Sequence, residues 1–304
     1  TKKENIKIIH CRSYIPAIIA FLIKKFTGTK YIFDIRGFWF NEKYDAKLIN
    51  FFLLKILTKI ENKLYKNADY ILTLTFKSIK YINKEYKISK KKILYIACFT
   101  DTKKFSFNKK TPNKELIFGY VGNVKLSYNF KKVLSFLEIF NTINKNWKLY
   151  FVNNYLSEKE KKKIFSKFKI KNKIFFYKSN FENINKIYKK FDVGIYFLKR
   201  DFSKIASCPT KLGEMLSTGL PIITNSGIGD IEMYLKNEKN CGFIIDDLKK
   251  SNLKEINSSL KNKKEVFKLK INAKWVANKF FEKNKNILVY KKLYEKLIDS
   301  DVKI

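Results

Sequence analysis

Paired cysteines are missing: Cys11, Cys98, Cys208 and Cys241 are scattered along the chain and form no Cys-x-x-Cys. That spacing argues against a zinc site or a disulfide framework and for the reduced thiols of a cytosolic protein. Long apolar runs are missing too, since the longest near the start, Ile15 to Ile23, is about half of the roughly 18 residues that a membrane span needs. No signal peptide precedes it, so the chain is expected neither to cross a membrane nor to be exported. Acidic residues are few, 27 Asp+Glu against 65 Lys+Arg, which leaves a net charge of +38. Such a field attracts polyanions, whether nucleic acid, anionic lipid or phosphorylated substrates. Arginine is nearly absent, with only Arg12, Arg36 and Arg200, whereas readers of bases and phosphates lean on its planar fork. A nucleic-acid partner is therefore not expected, and steeply salt-dependent binding to DNA or RNA would contradict that. Lysine abounds together with Ile, Asn, Phe and Tyr, all with A/T-rich codons, so genome bias accounts for part of the charge. The rest suits docking on an anionic membrane face, where each Lys adds ~1 kcal/mol. An initiator methionine is also lacking, and Thr1 suggests a missing upstream segment.

What is present is ample for two folded domains: 304 residues, 45% hydrophobic and 16% aromatic. Strand-like runs alternate with amphipathic helical stretches, the pattern of parallel α/β sheets. The first region holds short strands at Ile6–Ile9, Lys30–Asp34, Tyr70–Leu74 and Ile93–Ile96. A polar stretch from Asn108 to Lys114 reads as a linker. Six strands follow, at Leu116–Val121, Lys148–Val152, Ile174–Tyr177, Val193–Phe197, Pro221–Thr224 and Phe243–Ile245. The stretch from Asn272 to Ile304 reads as helix, with apolar positions from Trp275 to Leu297 at helical spacing, and is expected to pack back across the domain junction. The expected division is 1–112, 113–271 and a tail, 272–304. With only four strands the first domain is short by about seventy residues relative to ordinary α/β domains.

The sharpest stretch runs from Ser207 through Cys208, Pro209, Thr210, Lys211 and Glu214 to Gly219-Leu220-Pro221-Ile222-Ile223. It reads as a loop, a helix opened near Pro209, a glycine stop and a buried strand. A helix N-terminus offers free N–H groups and partial positive charge to a diphosphate, and Lys211 adds a full charge. Glu214, close to one turn on, is placed to accept from ribose hydroxyls. A capped surface helix with an ordinary Lys and Glu is the plain alternative.

Three further motifs flank it: Asp192-Val193-Gly194-Ile195, Gly227-Ile228-Gly229-Asp230, and Gly119-Tyr120-Val121-Gly122-Asn123, where glycine lets N–H groups approach a phosphate. In this order and spacing the chain resembles the retaining GT-B glycosyltransferases of the family 4 type, which build lipopolysaccharide, capsule and exopolysaccharide. His10-Cys11-Arg12-Ser13, the run Phe33 to Trp39, Ala68-Asp69 and Asp101 with Phe105 resemble the later part of that family's acceptor domain. The resemblance implies an α/β chain with two Rossmann-like, doubly wound domains facing a cleft, the first one incomplete. It implies a nucleotide diphosphate sugar held by the second domain, a lipid-linked or oligosaccharide acceptor at the first, and a cytoplasmic enzyme peripheral to the inner membrane face.

Charge grows on the leaving diphosphate as the glycosidic bond breaks, so the useful groups are donors aimed at its oxygens. Gly122, Asn123, Lys125, Ser207, Pro209, Thr210, Lys211 and Glu214 are the donor-site candidates. His10, Arg12 and Arg36 are the catalytic ones, and Asp34 and Glu42 stand on the acceptor side. His10 is expected just after a strand and facing the cleft, or half-buried and held by backbone; Asp34 and Arg36 also read as a simple ion pair. The aromatic run Phe38, Trp39 and Phe40 reads as core before it reads as a sugar platform. No Asp-x-Asp lies among these motifs, so no metal or other cofactor is expected. The family's second donor glutamate is Ala206 here, with Asp201, Ser203 or Ser207 as substitutes. A nucleotide-binding remnant without turnover is the rival reading, distinguished by tight binding without product.

Overall fold

The computed structural model describes residues 6–110, 115–124, 127–180 and 182–299. Part of the expected linker, 111–114, thus falls outside it, as do Lys125 and the tail beyond residue 299.

The first domain is a parallel sheet of β1 (Ile8–Arg12), β2 (Lys30–Asp34), β3 (Tyr70–Thr73) and β4 (Ile93–Tyr95), in that spatial order. Helices α1 (Tyr14–Thr27), α2 (Trp39–Asp45), α3 (Phe51–Asn67) and α4 (Phe76–Tyr86) connect the strands. Alternation along β2 sorts its side chains: Tyr31 and Phe33 enter the core shared with α1 and α3, while Ile32 enters a second one on the opposite face. Helix α1 stops at Gly28, whose left-handed φ of 74° lets its N–H reach the Lys24 carbonyl. Helix α3 starts at Asn50, whose side chain accepts from the Leu53 N–H.

The second domain is a six-stranded parallel sheet in the order β10-β9-β8-β5-β6-β7. Its strands are β5 (Leu116–Val121), β6 (Trp147–Val152), β7 (Ile174–Tyr177), β8 (Val193–Ile195), β9 (Ile222–Thr224) and β10 (Gly242–Ile244). Between them lie α5 (Phe130–Phe140), α6 (Glu158–Phe165), α7 (Ile184–Tyr188) and α8 (Thr210–Ser217). After β7 the chain crosses to the other side of β5, so the order reverses between β5 and β8. That reversal opens a crevice beyond the carboxyl ends of the strands, where open α/β sheets bind ligands.

The tail is not one helix. After α9 (Lys250–Lys261), α10 (Lys263–Val276) packs Val266, Ala273 and Val276 into the second domain, and a wider turn over Ala277–Phe281 ends it. Phe280 and Phe281 are buried there, and the Glu282 carboxylate accepts from the N–H groups of Asn284 and Lys285 to start α11 (Lys283–Asp299). Helix α11 lies on the first sheet, with Leu293 and Leu297 against Ile32, Leu72 and Ile96. Full burial of each leucine is worth about 1.5–3 kcal/mol.

Side chains also clasp the two domains. Asp230 accepts from the N–H groups of Phe76 (2.6 Å) and Lys77 (3.1 Å), capping α4 from the other domain, and Lys77 reaches Glu232 at 2.8 Å. Gly229 permits this approach, because a Cβ there would stand 2.9 Å from the Thr75 side chain of the first domain and 2.1 Å from the Ser207 carbonyl oxygen of its own. Among the described residues no helix is long and apolar enough to cross a membrane.

Candidate functional site

At the carboxyl ends of β5 and β6 lies a cavity of about 260 Å³ whose walls include Gly122, Asn153, Asn154, Tyr155, Asn180 and Lys211. Two expected donor-site residues 89 positions apart in numbering, Gly122 and Lys211, therefore meet. Gly122 has φ of 135°, and its carbonyl accepts from the Asn153 amide at 2.8 Å. The Asn153 Oδ1 in turn accepts from the N–H groups of Tyr155 and Leu156, each at 2.8 Å, which shapes the loop and leaves Tyr155 85% exposed at the rim. The Asn123 carbonyl is held by the Tyr120 hydroxyl, so that residue acts on the loop through its backbone. Lys125 lies outside the described residues.

Helix α8 begins after Pro209 without any side-chain cap, and Thr210 at its start is exposed. Its first N–H groups and Lys211 thus point positive charge out of one helix end. Glu214 is buried and already engaged on one oxygen. Its Oε2 accepts from the Tyr188 hydroxyl at 2.7 Å and lies 3.3 Å from the Lys211 ammonium, while Oε1 takes part in neither contact. Burial first, and then Glu214, push the Tyr188 hydroxyl well above its ordinary pKa, which keeps it a donor. Ser207 donates its N–H to the Lys204 carbonyl and bears on Gly229. Asp192 serves packing at the far end of β8, accepting from the Ile117 N–H at 2.8 Å.

On the first domain, His10 does not follow a strand but lies within β1, which runs on to Arg12 because its pairing with β2 continues to Arg12 opposite Asp34. The His10 Nδ1 is 2.5 Å from the Tyr294 hydroxyl of α11, and its Nε2 is 3.9 Å from Asp34 Oδ2. Arg36, in a left-handed conformation, is also 3.9 Å from Asp34 and donates to the Cys98 sulfur at 3.4 Å. Arg12 is exposed at the strand end. His10, Asp34 and Arg36 thus form one cluster, into which the structure adds Tyr294 and Cys98. A hydrogen bond with Cys208, aided by the Arg36 charge, brings the Cys98 thiol down to about 7 in spite of its burial. Cys208 comes from the second domain, just before α8, and titrates well above the ordinary thiol range.

Glu42 lies 3.5 Å from the largely buried Lys204, across a cavity of about 460 Å³ between the domains that Trp39, Asp201 and Lys199 also line. Asp201 is therefore at the cleft, whereas the Ser203 hydroxyl is buried without a partner and Ala206 is in the core. Phe38 and Phe40 are core residues. Sequence reasoning missed Tyr188, Tyr294 and Tyr155, none of which belongs to a recognisable local pattern, and it singled out Asp230 within its Gly-x-Gly-Asp motif without foreseeing that it caps α4.

Residues 101–276 match the glycosyl transferases group 1 pattern, and residues 1–104 match glycosyltransferase family 4. The fold is similar to a sucrose-phosphate synthase from Thermosynechococcus elongatus, with TM-score 0.78 and 14% identity over 97% of this chain and 74% of that one. A glycosyltransferase from Rickettsia africae is similar at TM-score 0.71 and 17% identity, over 98% of this chain and 78% of its own. HepE from Anabaena, solved in complex with UDP and glucose, is similar at TM-score 0.71 and 11% identity, over 96% and 77%. No curated protein matches. The two-domain α/β architecture is that of GT-B glycosyltransferases.

Proposed function

The chain belongs to the glycosyl transferases group 1 family and is a glycosyltransferase, and from that premise we propose that it moves a sugar from a nucleotide diphosphate sugar in the second domain to an acceptor hydroxyl presented by the first. One observation carries the reading: Lys211 and Gly122 share a cavity at the switch point of the second sheet, beside the uncapped start of α8. A diphosphate there would meet an ammonium and free N–H groups together. Tyr155 at the rim offers a flat face to the base.

As the bond from the anomeric carbon to the diphosphate breaks, its electron pair stays with the phosphate oxygens. Lys211 and the α8 N–H groups stabilise that charge without a metal ion. The acceptor oxygen bonds to the anomeric carbon on the face the diphosphate leaves, so configuration is retained, and its proton passes to the departing phosphate oxygen on that same face. His10, Asp34, Arg36 and Glu42 line the acceptor side, with Arg12 at its exposed edge. We read the acceptor as a lipid-linked or polysaccharide precursor of the lipopolysaccharide or capsule kind, met at the inner membrane face, which the charge of +38 supports.

Calorimetry with UDP, GDP, CMP and ADP tests the donor site, with UDP first because HepE was solved with it. One nucleotide is expected to bind, and Lys211→Ala to weaken it about 10- to 100-fold, the loss of a charged hydrogen bond. Binding of none of them, or unchanged binding by the variant, overturns the assignment.

A further inference from the structure

The first two turns of helix α3 are nearly as apolar outside as inside. Leu54, Leu64 and Tyr65 face the core, yet Phe51, Phe52, Leu53 and Ile56 are exposed, Phe52 by 72%, and Leu48 in the preceding turn by 66%. From Ala46 to Ile60 there is no acidic residue, while Lys47, Lys55 and Lys59 are all exposed. Bulky apolar groups ringed by lysines on one helix face are the composition of an element lying in a membrane interface. The place matters as well. Leu48 and Asp45 line both the cleft cavity that holds Glu42 and Lys204 and a neighbouring groove with Tyr44 and Asp201, so the apolar face reaches the acceptor opening.

We propose that the turn after α2 and the outer face of α3, through Leu48, Phe51, Phe52 and Ile56 with Lys55 and Lys59, dock on an anionic lipid bilayer. Charge favours lipid over a second copy, because pairing this face with itself would set lysines against lysines with no carboxylate to answer them. Anionic headgroups answer them directly. Helix α1 exposes another apolar stripe, Ile15, Ile19, Leu22 and Phe26, but its only cations, Lys24 and Lys25, stand at its last turn, and Lys24 is already paired with Asp69 at 2.6 Å. The proposal rests on the reading that the enzyme meets its acceptor at a membrane face, and it places the bilayer at the cleft mouth.

The test is co-sedimentation of the full chain with vesicles of phosphatidylcholine, alone or mixed with equal phosphatidylglycerol. The unaltered chain should bind the anionic vesicles at least about tenfold better. F51S/F52S and, separately, K55E/K59E should each lose about tenfold or more in that binding, with the thermal midpoint unchanged. The two variants alter different chemistry, so one survives as a test should the other misfold. If the unaltered chain binds and both folded variants bind equally well, the docking face is elsewhere. No vesicle binding by the unaltered chain sinks the membrane reading itself, leaving sugar transfer to a soluble acceptor as a separate measurement. Loss of self-association in place of vesicle binding would assign the face to a second copy.

Discussion

Glu214 holds Lys211 in place from below, and its own position depends on the Tyr188 hydroxyl. Binding and stability should therefore separate at this residue. Glu214→Gln keeps an acceptor for Tyr188 but removes the counter-charge, so the fold should stand while nucleotide affinity changes. Glu214→Ala strands a buried hydroxyl and is expected to cost about 1–3 kcal/mol in denaturant unfolding. Equal stability of the two variants would show that the Tyr188 bond carries no weight. Arg36 makes a second case, since its guanidinium helps the Cys208 bond hold the Cys98 thiol at about 7. In Arg36→Ala the midpoint of Cys98 alkylation by iodoacetamide, followed against pH, should move up toward the ordinary 9.0. A fixed midpoint would leave Cys208 as the whole cause.

At the scale of elements, α3 is tied to its neighbours by one buried carboxyl. Glu61 accepts from Tyr14 of α1 (2.5 Å), from Tyr65 (3.0 Å) and from Tyr86 of α4. Burial raises its pKa above 4.5, outweighing the three hydroxyls that lower it. The folded chain then holds a proton more tightly than the unfolded one. Glu61 contributes stability that is full below 4.5 and lost as pH rises through its folded value. Glu61→Gln should remove that component from a plot of unfolding free energy against pH, and an unchanged slope would deny Glu61 the role. Much of the element layout was legible beforehand for a simple reason. Strands β2, β5 and β7 are dense apolar runs with polar or glycine ends, and their bounds coincide with those read from the chain. Helix α8 was legible because Pro209 and Gly219 punctuate it. By contrast, β1 extends past its apolar run to Arg12 through pairing alone, and the tail breaks at Phe280 and Phe281 because both rings find core. Contacts such as Tyr294 on His10, or Asp230 capping α4, join segments with no local signal of each other. Such partnerships depend on how two finished domains meet, which periodicity does not encode.

The whole molecule is a chain that leaves the first domain, builds the second and returns through α11 to close on the first. The two halves therefore share a clasp, and with the donor site proposed for the second alone, a nucleotide can tell them apart. Leu293→Ala with Leu297→Ala removes the helix's grip on Ile32, Leu72 and Ile96, at about 2–5 kcal/mol for each leucine. The first domain should then melt early while the second, whose core draws mostly on its own residues and shares Leu74, Ala97, Cys98 and Phe105 with the first, holds to a higher temperature. Saturating nucleotide raises stability only where it binds, by about 2.7 kcal/mol at a hundred times Kd. In the double variant, calorimetric scans with and without the nucleotide should show two transitions, of which only the upper one moves. A single transition that shifts as a whole would mean that the clasp through Asp230, Lys77 and Glu232 keeps the domains one cooperative unit even without α11.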